Sequence, residues 1–117
     1  MDAKEEDEMG KIINIANEAE LAAALKEANG AVVLDFYATG CEACEADEGD
    51  LKKLAKSCAG VTVVKIDVDK ASAMADRWQV QGTPSIFVAQ SAVDAVPGVA
   101  KEVDWAGDAV KLLKCKR

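Results

Sequence analysis

The sequence predicts an α/β fold, a three-layer α/β/α sandwich built on a mixed central sheet. Three observations carry this. Short β-branched runs alternate with stretches of helical period, from Ile12 as far as about Trp78. Strand–helix–strand crossovers of this kind make neighbouring strands parallel. The last two apolar runs, Ser85 to Ala89 and roughly Ala100 to Trp105, are separated by a Val96-Pro97-Gly98 turn instead of a helix, which adds an antiparallel edge. A chain of 117 residues is the size of one compact domain.

Ile12, Ile13 and Ile15 make the first strand. Asn17 with Glu20 is a capping-box-like start, and Leu21, Leu25 and Ala28 recur at helical spacing until Asn29-Gly30 stops the helix. Val32 to Tyr37 reads VVLDFY, the pattern of a strand buried on both faces, with Asp35 as the anomaly inside it. Gly40-Cys41 breaks this strand. Leu51, Leu54, Ala55 and Cys58 then fall at i, i+3, i+4 and i+7, so a long second helix runs from about Cys41 to Cys58, and Gly60 ends it. Val61 to Val68 (VTVVKIDV) is a third strand, followed by Asp69 as N-cap of a short helix through Trp78. Val110, Leu112 and Leu113 mark a final helix, giving the order β-α-β-α-β-α-β-β-α. Residues 1–10 are expected to be an acidic, poorly ordered arm, or less readily an interaction tail, and residues 11–117 a single domain.

Composition removes several functions. No apolar run approaches the ~20 residues that cross a bilayer. Only Phe36, Tyr37, Trp78, Phe87 and Trp105 are aromatic, so rings for stacking bases are scarce. The net charge is −7, concentrated in Asp2 to Glu8 and in Glu42, Glu45, Asp47, Glu48 and Asp50. Such acidity argues against nonspecific nucleic-acid binding and against an anionic membrane surface. The opening MDAKEEDEMG lacks the features of a secretory signal, so a cytoplasmic or similarly reducing compartment is expected. There, four cysteines point to redox or metal chemistry rather than a disulfide scaffold. The chain has no His, which excludes Cys-His and Ser-His catalysis and imidazole zinc sites.

The leading motif is Cys41-Glu42-Ala43-Cys44, a C-x-x-C where a buried strand hands over to a helix. The first sulfur lies at the helix N-terminus, where unpaired N–H groups and the dipole favour thiolate. Three residues are about one helical turn, so Cys44 stands close enough to attack a mixed disulfide on Cys41. Zinc uses the same spacing but normally needs a second ligand pair, and Cys58 and Cys115 are isolated from each other. Asp35, six residues before Cys41, bears a desolvation cost that raises its pKa and suits it to hold or pass a proton; the plainer reading is a strand residue facing a polar loop or a lysine such as Lys65. In Gly82-Thr83-Pro84-Ser85 a proline stands directly before a strand. If cis, it turns the backbone groups of Thr83 outward toward an extended peptide; alone, such a step is more often an ordinary trans turn.

Together these residues resemble the thioredoxin family over roughly Lys11 to Leu113: the element order, Asp-Phe-Tyr-Ala before C-x-x-C, Val-Lys-Ile-Asp-Val, and Gly-Thr-Pro before the fourth strand. The resemblance implies a thioredoxin fold and a thiol–disulfide oxidoreductase reducing protein disulfides, in which Cys41 attacks, Cys44 resolves, and Cys41–Cys44 is the redox-active disulfide. It implies that Asp35 and Lys65 assist proton transfer. Thr83 and a cis Pro84, with Gly40, Glu42 and Ala43 beside the dithiol, would meet the substrate. Disulfide-containing proteins and a thioredoxin-reductase-like electron donor are the implied partners, with no bound cofactor and a monomeric chain.

The departures matter too. Gly40 replaces the family's usual Trp, Glu42-Ala43 replaces Gly-Pro, Tyr37 stands where Trp is usual, and Gly49 falls where the second helix commonly has a kinking proline. They favour an alternative, a thioredoxin-fold binding or redox-sensing adaptor with weak or no reductase activity. Glu42, with Glu45 and Asp47 behind it, opposes the helix dipole. A higher Cys41 pKa and a more tightly held disulfide are therefore expected, although a solvated helix start is the plainer reading of these acids. Cys58 reads as a buried inert thiol, and Cys115, among Lys114, Lys116 and Arg117, as an exposed one.

Overall fold

In the computed structural model, which describes residues 10–113, nine strands and helices follow the expected order, with one 3-10 turn added before the last strand. They are β1 (Lys11–Ile15), α1 (Glu18–Glu27), β2 (Val32–Tyr37), α2 (Glu42–Ser57), β3 (Thr62–Asp67), α3 (Ser72–Arg77), β4 (Ser85–Ala89), a 3-10 turn (Ala92–Asp94), β5 (Lys101–Val103) and α4 (Ala106–Leu113). The expected arm at residues 1–10 lies almost wholly outside the described residues, as does Cys115.

Local chemistry sets the element ends. Asn17 caps α1, its side chain accepting the N–H of Glu20 at 2.8 Å, while the Glu20 carboxylate accepts the N–H of Ala16 at 2.7 Å. The N-cap expected at Asp69 is not formed. Instead the Asp67 side chain accepts the N–H of Asp69 at 2.9 Å, and its carbonyl accepts those of Lys70 and Ala71, so the turn is organised two residues earlier and α3 begins at Ser72. The last strand is also shorter than expected, because only Lys101 to Val103 find partners on β4.

The sheet order is β1-β3-β2-β4-β5. β1, β3 and β2 run parallel, β4 is antiparallel to β2, and β5 is antiparallel to β4. Alternation along the strands then sorts side chains into two cores. Leu34, Phe36, Val64, Ile66 and Phe87 pack with Leu21 and Ala24 of α1 and Met74 and Ala75 of α3. Trp78 closes that core, its ring centroid 5.9 Å from Phe36 and 4.9 Å from Phe87, so few aromatics suffice because three of them are spent together.

On the other face, Val33, Val63, Ile86 and Val88 meet Leu51 and Leu54 of α2 and Ala106 and Ala109 of α4. Asp35 follows Val33, and Lys65 follows Val63, by two residues, so both side chains project toward the α2 side of the sheet. The start of β1 is pinned to the end of α2 by a close approach at Gly10. Its N–H donates to the Ala55 carbonyl at 2.7 Å, and a Cβ there would fall 2.5 Å from that oxygen. Among the described residues no helix is long and apolar enough to cross a membrane.

Leu54 is fully buried between α2 and the sheet, whereas Val93 is 84% exposed. We therefore expect Leu54→Ala to lower the unfolding free energy by about 2–5 kcal/mol in urea titration. Val93→Ala is expected to stay within about 0.5 kcal/mol. Similar losses for both would contradict the assignment of the core.

Candidate functional site

β2 ends at Tyr37, and the chain passes through Ala38 to Gly40 before α2 begins. Gly40 has φ +82°, a left-handed conformation that disfavours a side chain, so a residue as large as Trp at this position would strain this backbone. Cys41 is the N-cap of α2, and its Sγ accepts the backbone N–H of Cys44 at 3.1 Å. One of the helix's orphan donors therefore points at sulfur. Cys41 and Cys44 form a disulfide, with Cα atoms 5.2 Å apart. Cys41 is half-buried, Cys44 is buried, and Glu42 and Ala43 between them are exposed. α2 runs without a break through Gly49 to Ser57.

Asp35 lies on β2 in register with Lys65 of β3 on one side and with Ile86 of β4 on the other. It is 1% exposed and its Oδ1 has no hydrogen-bond partner. Burial pushes its carboxyl up to about 6, against the pull of Lys65 and with an added push from Asp47. Lys65 does not belong to Asp35 alone: its Nζ is ion-paired with Glu48 and lies 4.8 Å from the centre of the Tyr37 ring. Burial, followed by the charges of Asp67 and Asp35, also raises the Tyr37 hydroxyl.

Two members of this cluster, Asp47 and Glu48, read from sequence only as part of the acidic start of the second helix. Asp47 is 4% exposed, with its Oδ2 unpartnered, and is not part of a solvated helix start. Burial raises its carboxyl, a hydrogen bond donated by the Ala106 N–H lowers it, and Asp50 raises it again. The available signal was spacing: Cys44, Asp47, Leu51, Leu54 and Cys58 advance in steps of three or four, so Asp47 stands on the apolar stripe of α2 one turn before Leu51. Glu42 and Glu45 do lie on the exposed side, as a solvated first turn would. Cys58 is buried as expected but does not carry a free thiol, which corrects the inert-thiol reading.

The Thr83–Pro84 peptide bond is cis, both residues are half-buried, and Ser85 Oγ donates to the Gly82 carbonyl at 2.6 Å. A groove of about 270 Å³ runs along this loop, bounded by Ala38, Val68, Val80, Gly82 and Thr83. Ala38 connects it to the dithiol, since its carbonyl accepts the N–H of Cys41 at 3.3 Å. A larger hollow of about 420 Å³ lies away from the cysteines, between β5 and α4. Among the described residues no group of three or more Cys, Asp or Glu is arranged to hold a metal ion.

The Thioredoxin family model matches residues 12–106. Among curated proteins the chain is similar to Thioredoxin-1 of Drosophila melanogaster, 42% identical over 62 residues that cover 51% of this chain and 58% of that one. It is also similar to the TPR repeat-containing thioredoxin TDX of Oryza sativa subsp. japonica, 34% identical over 97 residues, covering 79% of this chain and 31% of that one. The chain thus spans only part of the length of these relatives. Among solved structures, oxidised mitochondrial thioredoxin 3 of Saccharomyces cerevisiae superposes with a TM-score of 0.72 at 27% identity, over 88% of this chain and 93% of that one. Schistosoma mansoni thioredoxin gives 0.71 at 25%, over 89% and 94%.

The raised Asp35 carboxyl sets a pH dependence with a definite sign. Between roughly pH 4 and about 6 the native state keeps a proton that the unfolded chain releases, so stability falls as pH rises through that window and stays lower above it. Asp35→Asn is expected to be more stable than the wild type at pH 7, by up to about 3 kcal/mol. That advantage should vanish below roughly pH 4. Urea titrations of both oxidised proteins at the two pH values measure this; equal stability at pH 7 would overturn it.

Proposed function

Since the chain belongs to the thioredoxin family, we propose that it is a thiol–disulfide oxidoreductase that reduces protein disulfides through Cys41 and Cys44. The observation that carries this is the Cys41–Cys44 disulfide at the start of α2, its outer sulfur receiving a helix N–H and its inner sulfur buried. In the reduced protein Cys41 attacks a substrate disulfide, because its sulfur is the more accessible and sits where the helix favours negative charge. Cys44 then resolves the mixed disulfide.

Asp35 supplies the buried carboxylate that takes the Cys44 proton, and Lys65 offsets part of the charge left behind. The Thr83–Pro84 edge, with Gly40, Glu42 and Ala43, is the surface on which the substrate peptide lies in this reading. The substrates are disulfide-containing proteins, and a thioredoxin-reductase-like donor returns the electrons. The working compartment is cytoplasmic or similarly reducing, and the unit is a single monomeric domain spanning residues 11–117.

Insulin disulfide reduction with dithiothreitol tests the reading. The wild type should accelerate precipitation, Cys41→Ser and Cys44→Ser should each lose about 100-fold or more of that acceleration, and Cys44→Ser should accumulate a mixed disulfide on Cys41. A wild type no faster than dithiothreitol alone would favour a binding or redox-sensing module. Glu42 adds a finer expectation, since its exposed carboxylate disfavours thiolate beside it. Glu42→Gln should raise the reduction potential of the pair, on the order of 10–30 mV in a glutathione redox titration. A lower or unchanged potential would remove Glu42 from the redox argument.

A further inference from the structure

The reactions proposed above use Asp35 and Lys65 but leave unexplained why two further acids of α2 converge on them. We propose that Asp47 is a positioning residue for proton transfer at Cys44: with Asp35 it makes a buried two-carboxylate pair beneath the dithiol, and Glu48, by engaging Lys65, leaves that pair only partly compensated. The inference rests on the oxidoreductase reading and deepens it.

Asp35 continues the line of Val33 on the face of the sheet covered by α2, and Asp47 lies on the α2 stripe that runs through Leu51 and Leu54 onto that same face. Both are more than nine-tenths buried, and each keeps one carboxylate oxygen without a partner, Oδ1 of Asp35 and Oδ2 of Asp47. Cys44, one helical turn before Asp47, is buried on the same stripe.

The other groups facing the pair are Lys65 from β3, Tyr37 from β2, Glu48 and Asp50 from α2, the Ala106 N–H at the start of α4, and the uncharged Ile86 from β4. Asp104 and Asp108 instead line the hollow between β5 and α4 with Lys101 and Lys111. Lysine therefore supplies the sole positive side chain at the pair among the described residues, and it is shared with Glu48.

Two buried like charges with one shared counter-charge cannot both ionise cheaply, so Asp47 raises the pH at which Asp35 becomes a base. In the resolving step, Cys41 carries a substrate group R through a Cys41–S–S–R bond. Cys44 gives its Sγ proton to the carboxylate pair as its sulfur bonds to Cys41 Sγ. The bond from Cys41 to R's sulfur breaks, and RS⁻ leaves with the electron pair and takes up one proton. With the first substrate sulfur already released as a thiol, two electrons and two protons have passed from the dithiol to the substrate disulfide. Asp47 touches no reacting atom here; it sets the pH at which its neighbour accepts the proton.

Asp47→Asn keeps an oxygen for the Ala106 N–H and removes only the charge. Two readouts use the full chain: the carboxyl carbon of Asp35 followed by NMR against pH, and the pH dependence of glutathione mixed-disulfide resolution after reduced protein meets glutathione disulfide. In Asp47→Asn, Asp35 should titrate lower by roughly half to one pH unit, and the acid limb of the resolution rate should move down with it. A residue that only capped α4 would move neither. Glu48→Gln, at a side chain 38% exposed, should shift both readouts in the same direction and carries the test if Asp47→Asn fails to fold. Unmoved titration and acid limb in the folded variants overturn the proposal, even if insulin is reduced. A wild type that leaves insulin untouched while both shifts occur overturns the protein-substrate reading and leaves this inference standing.

Discussion

A carboxyl group in the interior of a mixed sheet is the constraint around which this molecule is organised. Asp35 stands between the fully buried Leu34 and Phe36 on its own strand, and its flanking partners in register are a lysine and an isoleucine. An ionised carboxylate there has lost its water and has gained one incompletely committed cation, so the charged form is disfavoured and the group holds its proton to about 6. A strand residue selected for stability alone would be Val or Ile at this point. In the proposed reaction the destabilising choice serves proton exchange with Cys44, whose buried sulfur lies on the helix packed over the same face.

The neighbouring elements then divide two jobs. The far face of the sheet, with Phe36, Trp78 and Phe87 in mutual contact, is apolar throughout its centre and holds the strands in place. The near face carries a gradient along its strands, from Val33 and Val63 under Leu51 and Leu54 to Asp35 and Lys65 under the first turns of α2. Stability is concentrated at one end of the α2 stripe and the proposed chemistry at the other. This explains why the first half of α2 tolerates Gly49, which would weaken an isolated helix, since Leu51 and Leu54 anchor the second half.

How much of this could be read from sequence depends on the kind of signal. Element order, the sheet's mixed character and the C-x-x-C at a strand–helix junction follow from periodicity and from residue types that act locally. Asp35 was legible because a charge in VVLDFY contradicts its surroundings. Asp47 was hidden for the opposite reason. Lying among Glu42, Glu45, Glu48 and Asp50, it looked like one more solvated acid, and composition masked its place on the stripe. The misplaced N-cap at Asp69 is a similar case, where two aspartates two residues apart both suit a cap and only the backbone path selects Asp67. The Lys65–Glu48 pair joins residues on separate elements, and no local pattern encodes it.

Gly40 shows how one backbone conformation links these features. Its positive φ lets the chain leave β2 and enter α2 with Cys41 already at the N-cap, a conformation that disfavours any side chain before the first cysteine. Without that cover, the rim beside the disulfide consists of small or charged residues, Gly40, Glu42 and Ala43. Recognition of a partner in the proposed reaction then leans on backbone pairing along the Thr83 edge and on charge, not on apolar burial. Charge acts over longer distances but is screened by salt, so the acidic rim governs encounter and discrimination between partners more than residence on the surface. In the proposed reaction the acids of α2 thus act in two places: Glu42 and Glu45 outward, on what approaches Cys41, and Asp47 and Glu48 inward, on the proton that Cys44 gives up.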